Sequence, residues 1–458
     1  MTVERIFGTD GVRGRAGEGW LAEDKVAALG RAIGKIHLPH ADAPAGERPV
    51  ALLGHDGRAS GPILQNALAC GFHAAGFDVV SAGLISSPGL ALLTRMRHFG
   101  LGAMLSASHN PARDNGIKVF SNRGEKLSDD EEIAIEELLR AEPEPPREAV
   151  PVDVDPALEL AYIDYLIDHA AAHLDLSGLE VVVDCANGSG SHYAPLVLER
   201  LGAKVDALFC APDGSNINLG CGSTHPETLQ AEVLRHGADV GIALDGDADR
   251  CILVDARGEL VHGDGILTVM AREAMRLGKW NDARIVATVM SNRGLHRALR
   301  EVGVGVVEVP VGDRAVVEAL RHEELPVGGE QSGHIIFGDE IHYIGDGLYT
   351  ALCVLNAVKT SGKSLAELAA PYQAFPQVLL NVPVASKPDF STLAGVVERV
   401  KAAERQLAED GRVLLRYSGT ESLARVMVEG PDGECIQTHA EEIASLITSA
   451  IGAEFGEH

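Results

Sequence analysis

Asp245-Gly246-Asp247-Ala248-Asp249-Arg250 places three carboxylates at alternate positions between two apolar, strand-like runs, Val240 to Leu244 and Cys251 to Val254. Such a loop can turn all three side chains toward one point, where they repel one another unless a cation intervenes. Clustered carboxylate oxygens suit a hard divalent ion, Mg²⁺ being the default. A solvated acidic turn is the plainer reading, but strict alternation between buried-type strands argues against it. An EF-hand is excluded: its loop requires Gly at position six and Glu at position twelve, where this chain has Arg250 and Ala256.

Three more loops carry reactive residue types. Ser106-Ala107-Ser108-His109-Asn110-Pro111 follows the apolar run Leu101 to Leu105 and precedes Asn115-Gly116-Ile117-Lys118. A serine on a tight polar turn after a buried strand is well placed as a nucleophile or phosphate carrier. Alone, the segment reads equally well as a Ser/Asn/Pro turn; His109 and Lys118 add a proton shuttle and a cation beside the hydroxyl. Arg416-Tyr417-Ser418-Gly419-Thr420-Glu421-Ser422, followed by Arg425, combines guanidinium groups, hydroxyls and an approachable glycine. These are the parts of an anion cradle, without the Lys and spacing of a nucleotide P-loop, so a phosphate monoester is the better guess. In Gly328-Gly329-Glu330-Gln331-Ser332-Gly333-His334, Glu330 and Ser332 lie two apart; on an extended loop they would face one side and hold neighbouring sugar hydroxyls.

The elements that must position these loops repeat. Segments beginning at Val50, Val181 and Ile285 share the order apolar strand, polar turn, helical stretch, Gly, second strand. Repeated βαβ units imply a largely parallel sheet with helices on both faces. Glu142-Pro143-Glu144-Pro145-Pro146 cannot continue the helix starting near Ser128, whose Ser128-Asp-Asp-Glu131 reads as a capping box, and Asp155-Pro156 opens a new helix. After Pro371 the order changes to strand 377–385, helix 391–408, strand 411–417, strand 424–429 and helix 436–451, a small α+β module.

Composition fits a globular chain of 458 residues, 46% hydrophobic and 23% charged. A net charge of −27 argues against nucleic acid or an anionic membrane as partner. It leaves room for a phosphorylated substrate, because screening confines that field to about 8 Å at physiological salt. Seven singly scattered cysteines read as reduced fillers. With no apolar signal core and no stretch of about 20 apolar residues, a cytoplasmic protein is expected.

In this order, the four loops resemble the α-D-phosphohexomutase superfamily over the whole chain. The N-terminal Phe7-Gly8-Thr9-Asp10-Gly11-Val12-Arg13-Gly14, together with Gln331, is most similar to its phosphoglucosamine mutase branch. The resemblance implies an α/β enzyme of three related mixed-sheet α/β/α domains plus a smaller C-terminal α+β domain, heart-shaped, with one loop per domain meeting in a central cleft. The expected boundaries are 1–155, 156–257, 258–372 and 373–458. By motif match, Ser108 is the phosphoserine and binds one Mg²⁺ with Asp245, Asp247 and Asp249. Glu330 and Ser332 hold the sugar hydroxyls, and Arg416, Ser418, Gly419, Thr420 and Arg425 grip the phosphate not in transfer. Arg13, His109, Lys118, Arg250 and His334 line the reaction centre, Lys118 and His334 being the first candidates for general acid and base. The implied activity interconverts glucosamine 6-phosphate and glucosamine 1-phosphate through a glucosamine 1,6-bisphosphate intermediate, toward UDP-N-acetylglucosamine and cell-wall precursors. Phosphomannomutase or phosphoglucomutase activity is the alternative. The expected partner is a small sugar phosphate, with no nucleic acid and no membrane; a homodimer is compatible with the resemblance.

Two positions depart from the superfamily pattern. Ser422 stands where Pro is usual, leaving a less rigid loop, and Ala248 stands where Gly is frequent, a methyl group expected to matter little. A rival reading is a haloacid dehalogenase-type enzyme with Asp245 as nucleophile, in which Ser108 would be idle. Another is a non-catalytic sugar-phosphate binder on the same scaffold.

Overall fold

A computed structural model describes residues 5–8, 10–41, 46–141, 149–280, 282–338, 343–418 and 421–452. Each segment read as βαβ folds as one. Val50–His55, Gly61–Ala75 and Asp78–Leu84 form the first, and Glu180–Asp184, Tyr193–Arg200 and Lys204–Leu208 the second. Arg284–Thr288, Arg293–Arg300 and Gly305–Val309 form the third. Strands of the first two units pair in parallel.

The sheets are mixed, as the family resemblance implies, rather than largely parallel, as the βαβ repeats alone suggest. In the first, ordered Val12–Arg15, Asp114–Ser121, Leu101–Leu105, Val50–His55, Asp78–Leu84, the two pairings on the Val12 side are antiparallel and the other two parallel. The second, ordered Leu260–Val261, Cys251–Asp255, Val240–Leu244, Glu180–Asp184, Lys204–Leu208, divides the same way. Loop length is the cause. Residues 106–113 and 245–250 allow an antiparallel return, whereas a parallel return needs a crossover of about a dozen residues or more. Both loops therefore leave the carboxyl ends of strands Leu101–Leu105 and Val240–Leu244, where open α/β sheets present ligand sites. The Glu330 loop likewise follows Val327–Gly329, which runs parallel to Arg284–Thr288.

Contacts divide the chain into two compact units, residues 1–290 with 307–369, and residues 291–306 with 370–458. The first sheet is covered by helices Glu23–His37 and Gly61–Ala75 through Leu29, Ile33, Leu68 and Phe72, all buried. In the second unit, Gln377–Pro383, Leu423–Glu429 and Arg412–Tyr417 make a three-stranded antiparallel sheet. Helices Ala394–Leu407 and Gly433–Ile451 join it over a core that includes Val396, Val426, Ile436 and Ile443, the α+β module read from the sequence. Asn292 ties residues 291–306 into this unit, accepting from Phe375 N at 2.8 Å and donating to Phe375 O at 3.1 Å.

The capping box forms as read: Ser128 N donates to Glu131 Oε2 at 2.8 Å and Glu131 N to Ser128 Oγ at 3.3 Å. The Pro-rich segment 142–148 lies outside the described residues. Among the described residues, no helix is long and apolar enough to cross a membrane.

Candidate active site

Ser108 sits in a left-handed conformation, φ +51°, a position held by its surroundings rather than by glycine. Arg58, fully buried, supplies much of that restraint. Its guanidinium donates to the carbonyls of Ser108 and Asn110 at 2.9 Å, of Pro111 at 2.5 Å and of Asp114 at 2.8 Å, while Nε pairs with Asp56 at 2.8 Å. Asp56 also accepts from Ser106 Oγ at 2.6 Å, and Ser106 Oγ accepts from Ser108 N at 2.8 Å. The Asn218 amide donates to the Ser108 and Asn110 carbonyls at 2.8 and 3.1 Å. So fixed, the Ser108 hydroxyl donates to Asp245 Oδ2 at 2.5 Å and lies 3.2 Å from His109 Nδ1.

Asp245, Asp247 and Asp249 are all buried, and one oxygen from each lies within 4.8 Å of the others, close to the roughly 4 Å that opposite ligands of an Mg²⁺ ion span. Burial first, then Asp249 and Asp247, push the Asp245 carboxyl up to about 8. Asp249 goes the other way: burial would raise it, but Lys118 and His334 hold it well below the usual carboxylate range. Lys118 Nζ lies 3.0 Å from Asp10, 2.7 Å from Asp247 and 3.0 Å from Asp249; burial would lower it, but these charges, Asp10 foremost, outweigh that and keep the ammonium well above its ordinary value. Asp247 Oδ1 is buried and receives no hydrogen bond, and Asp249 Oδ1 has His334 Nδ1 no nearer than 3.5 Å. Clustered, under-satisfied oxygens of this kind fit a divalent cation.

Ala248 occupies φ +55°, which explains why Gly suits this position. The strain of about 1–2 kcal/mol is partly offset by burial of the methyl, about 0.8 kcal/mol, so its net effect stays small.

A cavity of about 500 Å³ opens beside the cluster, lined by Arg13, His109, Asp249, Arg250, Glu330 and His334 among others. Burial, then Arg250 and Arg13, lower the His109 imidazole. Burial also pulls His334 down, but Asp249 and Asp313 outweigh it and the net shift is upward. The Glu330 loop is a tight turn, not the extended segment expected: Gly333 N donates to Glu330 O at 3.0 Å. Gly333 makes that turn possible, with φ +89° and no room for a Cβ, which would lie 2.1 Å from Cys251 O. Glu330 Oε1 accepts from Gly312 N at 3.1 Å, while Ser332 Oγ is buried without a hydrogen-bond partner.

Arg416, Ser418 and Arg425 belong to the second unit. Arg416 and Arg425 stand directly opposite each other on adjacent antiparallel strands, a like-charge pairing that is unfavourable without an anion. Glu421 lies 3.5 Å from Arg425. Ser418 is buried, and its carbonyl accepts from Lys387 Nζ at 2.6 Å. Gly419 and Thr420 lie outside the described residues.

Sequence reasoning missed Arg58, Asp56, Asn218, Lys126 and Asp313. Arg58 has a findable signal, a basic residue soon after a strand that neighbours the serine strand. The others act through contacts distant in sequence.

Four domain families of the phosphoglucomutase/phosphomannomutase type match in order: α/β/α domain I over residues 4–145, domain II over 161–258, domain III over 262–375 and the C-terminal domain over 379–446. A phosphoglucosamine mutase of Symbiobacterium thermophilum is 46% identical over 454 residues, covering 98% of this chain and all of that one. One of Rhodococcus opacus is 46% identical, covering 97% and 99%. A phosphoglucomutase/phosphomannomutase family protein of Burkholderia thailandensis superposes with a TM-score of 0.80 at 25% identity, covering 97% of each chain. The N-acetylphosphoglucosamine mutase of Aspergillus fumigatus, solved with GlcNAc-6P and magnesium, gives 0.64 at 18% identity over 98% and 96%. With relatives of one name along its whole length and all four domain families in order, the chain belongs to the phosphoglucosamine mutase family of the α-D-phosphohexomutases, which are isomerases.

Proposed function

We propose that the protein interconverts glucosamine 6-phosphate and glucosamine 1-phosphate, with Ser108 as phosphate carrier. The observation that carries this reading is the Ser108 hydroxyl held 2.5 Å from a buried, three-carboxylate cluster. Phosphorylated Ser108 gives its phosphoryl group to a sugar hydroxyl: the Oγ–P bond breaks, an O–P bond to the sugar forms, and the proton the sugar hydroxyl gives up is balanced by one taken up at the freed Ser108 Oγ. The bisphosphate then turns end for end, and the freed Ser108 recovers the other phosphoryl group. His109 Nδ1, 3.2 Å from Oγ, is placed to exchange the serine proton.

Asp245, Asp247 and Asp249, with a Ser108 oxygen, would hold Mg²⁺, which offsets charge on transferring phosphoryl oxygens. Lys118 and Arg250 add fixed positive charge at the same place. Glu330 and Ser332 take sugar hydroxyls. The unfavourable Arg416 and Arg425 pairing supports their role as receptors for the phosphate not in transfer.

A coupled assay of glucosamine 6-phosphate conversion with Mg²⁺ and a trace of hexose 1,6-bisphosphate tests this, run beside Ser108→Ala and with glucose 1-phosphate as competitor. Turnover of the amino sugar that collapses in the variant supports the reading. Preferential use of glucose 1-phosphate moves the protein to the phosphoglucomutase/phosphomannomutase alternative, and unchanged activity in Ser108→Ala overturns the carrier.

A further inference from the structure

Six ionisable groups beside the cavity close into a ring of alternating type. Lys118 Nζ lies 3.0 Å from Asp10, and Asp10 pairs with Lys126. Lys126 pairs in turn with Asp313, whose carboxylate is 3.8 Å from His334 Nε2. His334 Nδ1 is 3.5 Å from Asp249, and Asp249 returns to Lys118 at 3.0 Å. Asp10, Lys118 and Lys126 come from the first sheet and its flanking loops, Asp249 from the loop of the second, Asp313 from the start of helix Asp313–His322 and His334 from the loop between strands Val327–Gly329 and Ile335–Phe337.

Lys126 closes this ring at the point farthest from the metal-type carboxylates. It bonds Asp10 and Asp313, two carboxylates that would repel each other without it. Both stay ionised: burial would raise them, but Lys118 and Lys126 hold Asp10 well below the usual range, and Lys126 with His334 lowers Asp313. Asp10 in turn pairs with Lys118 at 3.0 Å, and Asp313 faces His334 Nε2 across 3.8 Å, a charge contact without a hydrogen bond. A shift of Lys126 is therefore transmitted to Lys118 on one side and His334 on the other.

We infer that Lys126 is a positioning residue for phosphoryl transfer, fixing Lys118 through Asp10 and His334 through Asp313 rather than binding the sugar phosphate itself. Its position is unlike a surface ion pair, because both carboxylates it joins are largely withdrawn from water. The inference rests on the mutase reading above.

The test is steady-state kinetics of the full-length, Mg²⁺-supplied protein on glucosamine 6-phosphate and glucose 1-phosphate, for wild type, Lys126→Met and Lys126→Arg. Misplacing catalytic groups by about 1 Å costs on the order of 10²-fold, so kcat of Lys126→Met should fall by about that factor with KM nearly unchanged. Lys126→Arg, able to bridge both carboxylates, should recover most of the loss. Should Lys126→Met not fold, Lys126→Met/Asp313→Asn removes one of the stranded charges, and the same split is expected there. A rise in KM with kcat preserved, an unchanged kcat, or a failure of Arg to rescue would overturn the positioning role. Wild type inactive on both sugars contradicts the mutase reading and this inference with it; an active wild type with an unaffected variant contradicts this inference alone.

Discussion

Replacing Arg58 by Met should loosen the Ser108 turn more than any change to a residue of the turn itself. The side chain makes five hydrogen bonds, four to backbone carbonyls of residues 108–114 and one to Asp56. Three of those carbonyls keep a partner, since Asn218 still donates to Ser108 and Asn110 and the Asp114 N–H to Pro111. Asp56 fares worse. It is wholly buried, already raised by burial against the pull of Arg58, and would keep only Ser106 as side-chain donor. Stranding one partner of a buried pair costs about 3–5 kcal/mol. Opening of the loop should therefore become roughly two to four orders of magnitude more frequent, at 1.36 kcal/mol per tenfold. Hydrogen exchange at the amides of Ser106, Ser108 and Asn110 reads this directly, at the segment rather than across several independently unfolding parts. Arg58→Met/Asp56→Asn should recover a good part of the change, because the stranded charge is gone. Exchange accelerated less than about fivefold in Arg58→Met, near 1 kcal/mol, would refute the view that this ion pair restrains the nucleophile.

Gly246→Ala places a Cβ 2.6 Å from Ser108 O and 2.8 Å from Ile217, so kcat should drop on the order of 10²-fold while circular dichroism stays unchanged. Arg425→Gln removes a charge-assisted phosphate contact of about 1.5–3 kcal/mol, seen as a KM raised roughly ten- to hundredfold in steady-state assays. It should also slightly raise the melting temperature of the ligand-free protein by relieving the Arg416 and Arg425 repulsion. Asp184 gives a pH prediction: burial pushes its carboxyl up to about 6, against hydrogen bonds from Gly222 and Ala186 N–H. The folded state thus keeps its proton to higher pH than the unfolded one, so the group costs nothing below about 4, and its cost grows to about 3 kcal/mol as pH rises past 6. Asp184→Asn should flatten that slope in unfolding measured between pH 4 and 7. Ser422→Pro should leave kcat and KM within about twofold and be neutral or mildly stabilising; a large loss of activity would show that flexibility of this loop is used.

The residues with chemistry were readable because they sit in short loops directly after apolar strands, where residue type and spacing survive without knowledge of the fold. Ser108 and the three aspartates stood out as candidates this way, whereas Arg416 and Arg425 lie on the strands Arg412–Tyr417 and Leu423–Glu429 and were read from their residue type beside the Ser418 turn. The ring through Lys126 did not stand out: Lys126 meets Asp313 from 187 residues away, and neither lies in a loop with a recognisable pattern. Arg58 left a positional signal, a basic residue soon after a strand, but its partners were hidden, since four of its five acceptors are backbone carbonyls, which every residue possesses. The mixed sheets came only from the family resemblance, although they were legible in the loop lengths that the βαβ reading passed over. Leu244 and Cys251 are separated by too few residues for a parallel crossover, so an antiparallel hairpin was the sole return open to the metal-type loop. The Glu330 loop misled because the two-residue spacing fits an extended strand, whereas Gly333 at φ +89° bends it into a turn.

The central claim is that Ser108 carries the phosphoryl group beside the aspartate cluster. Its most direct test is to charge the protein with labelled hexose 1,6-bisphosphate, map the label by mass spectrometry, and chase it with glucosamine 6-phosphate. Acid-stable label should appear on Ser108, and the amino-sugar phosphate should discharge it. Label that is lost to hydroxylamine and maps to Asp245, or a protein that takes up none, would contradict it.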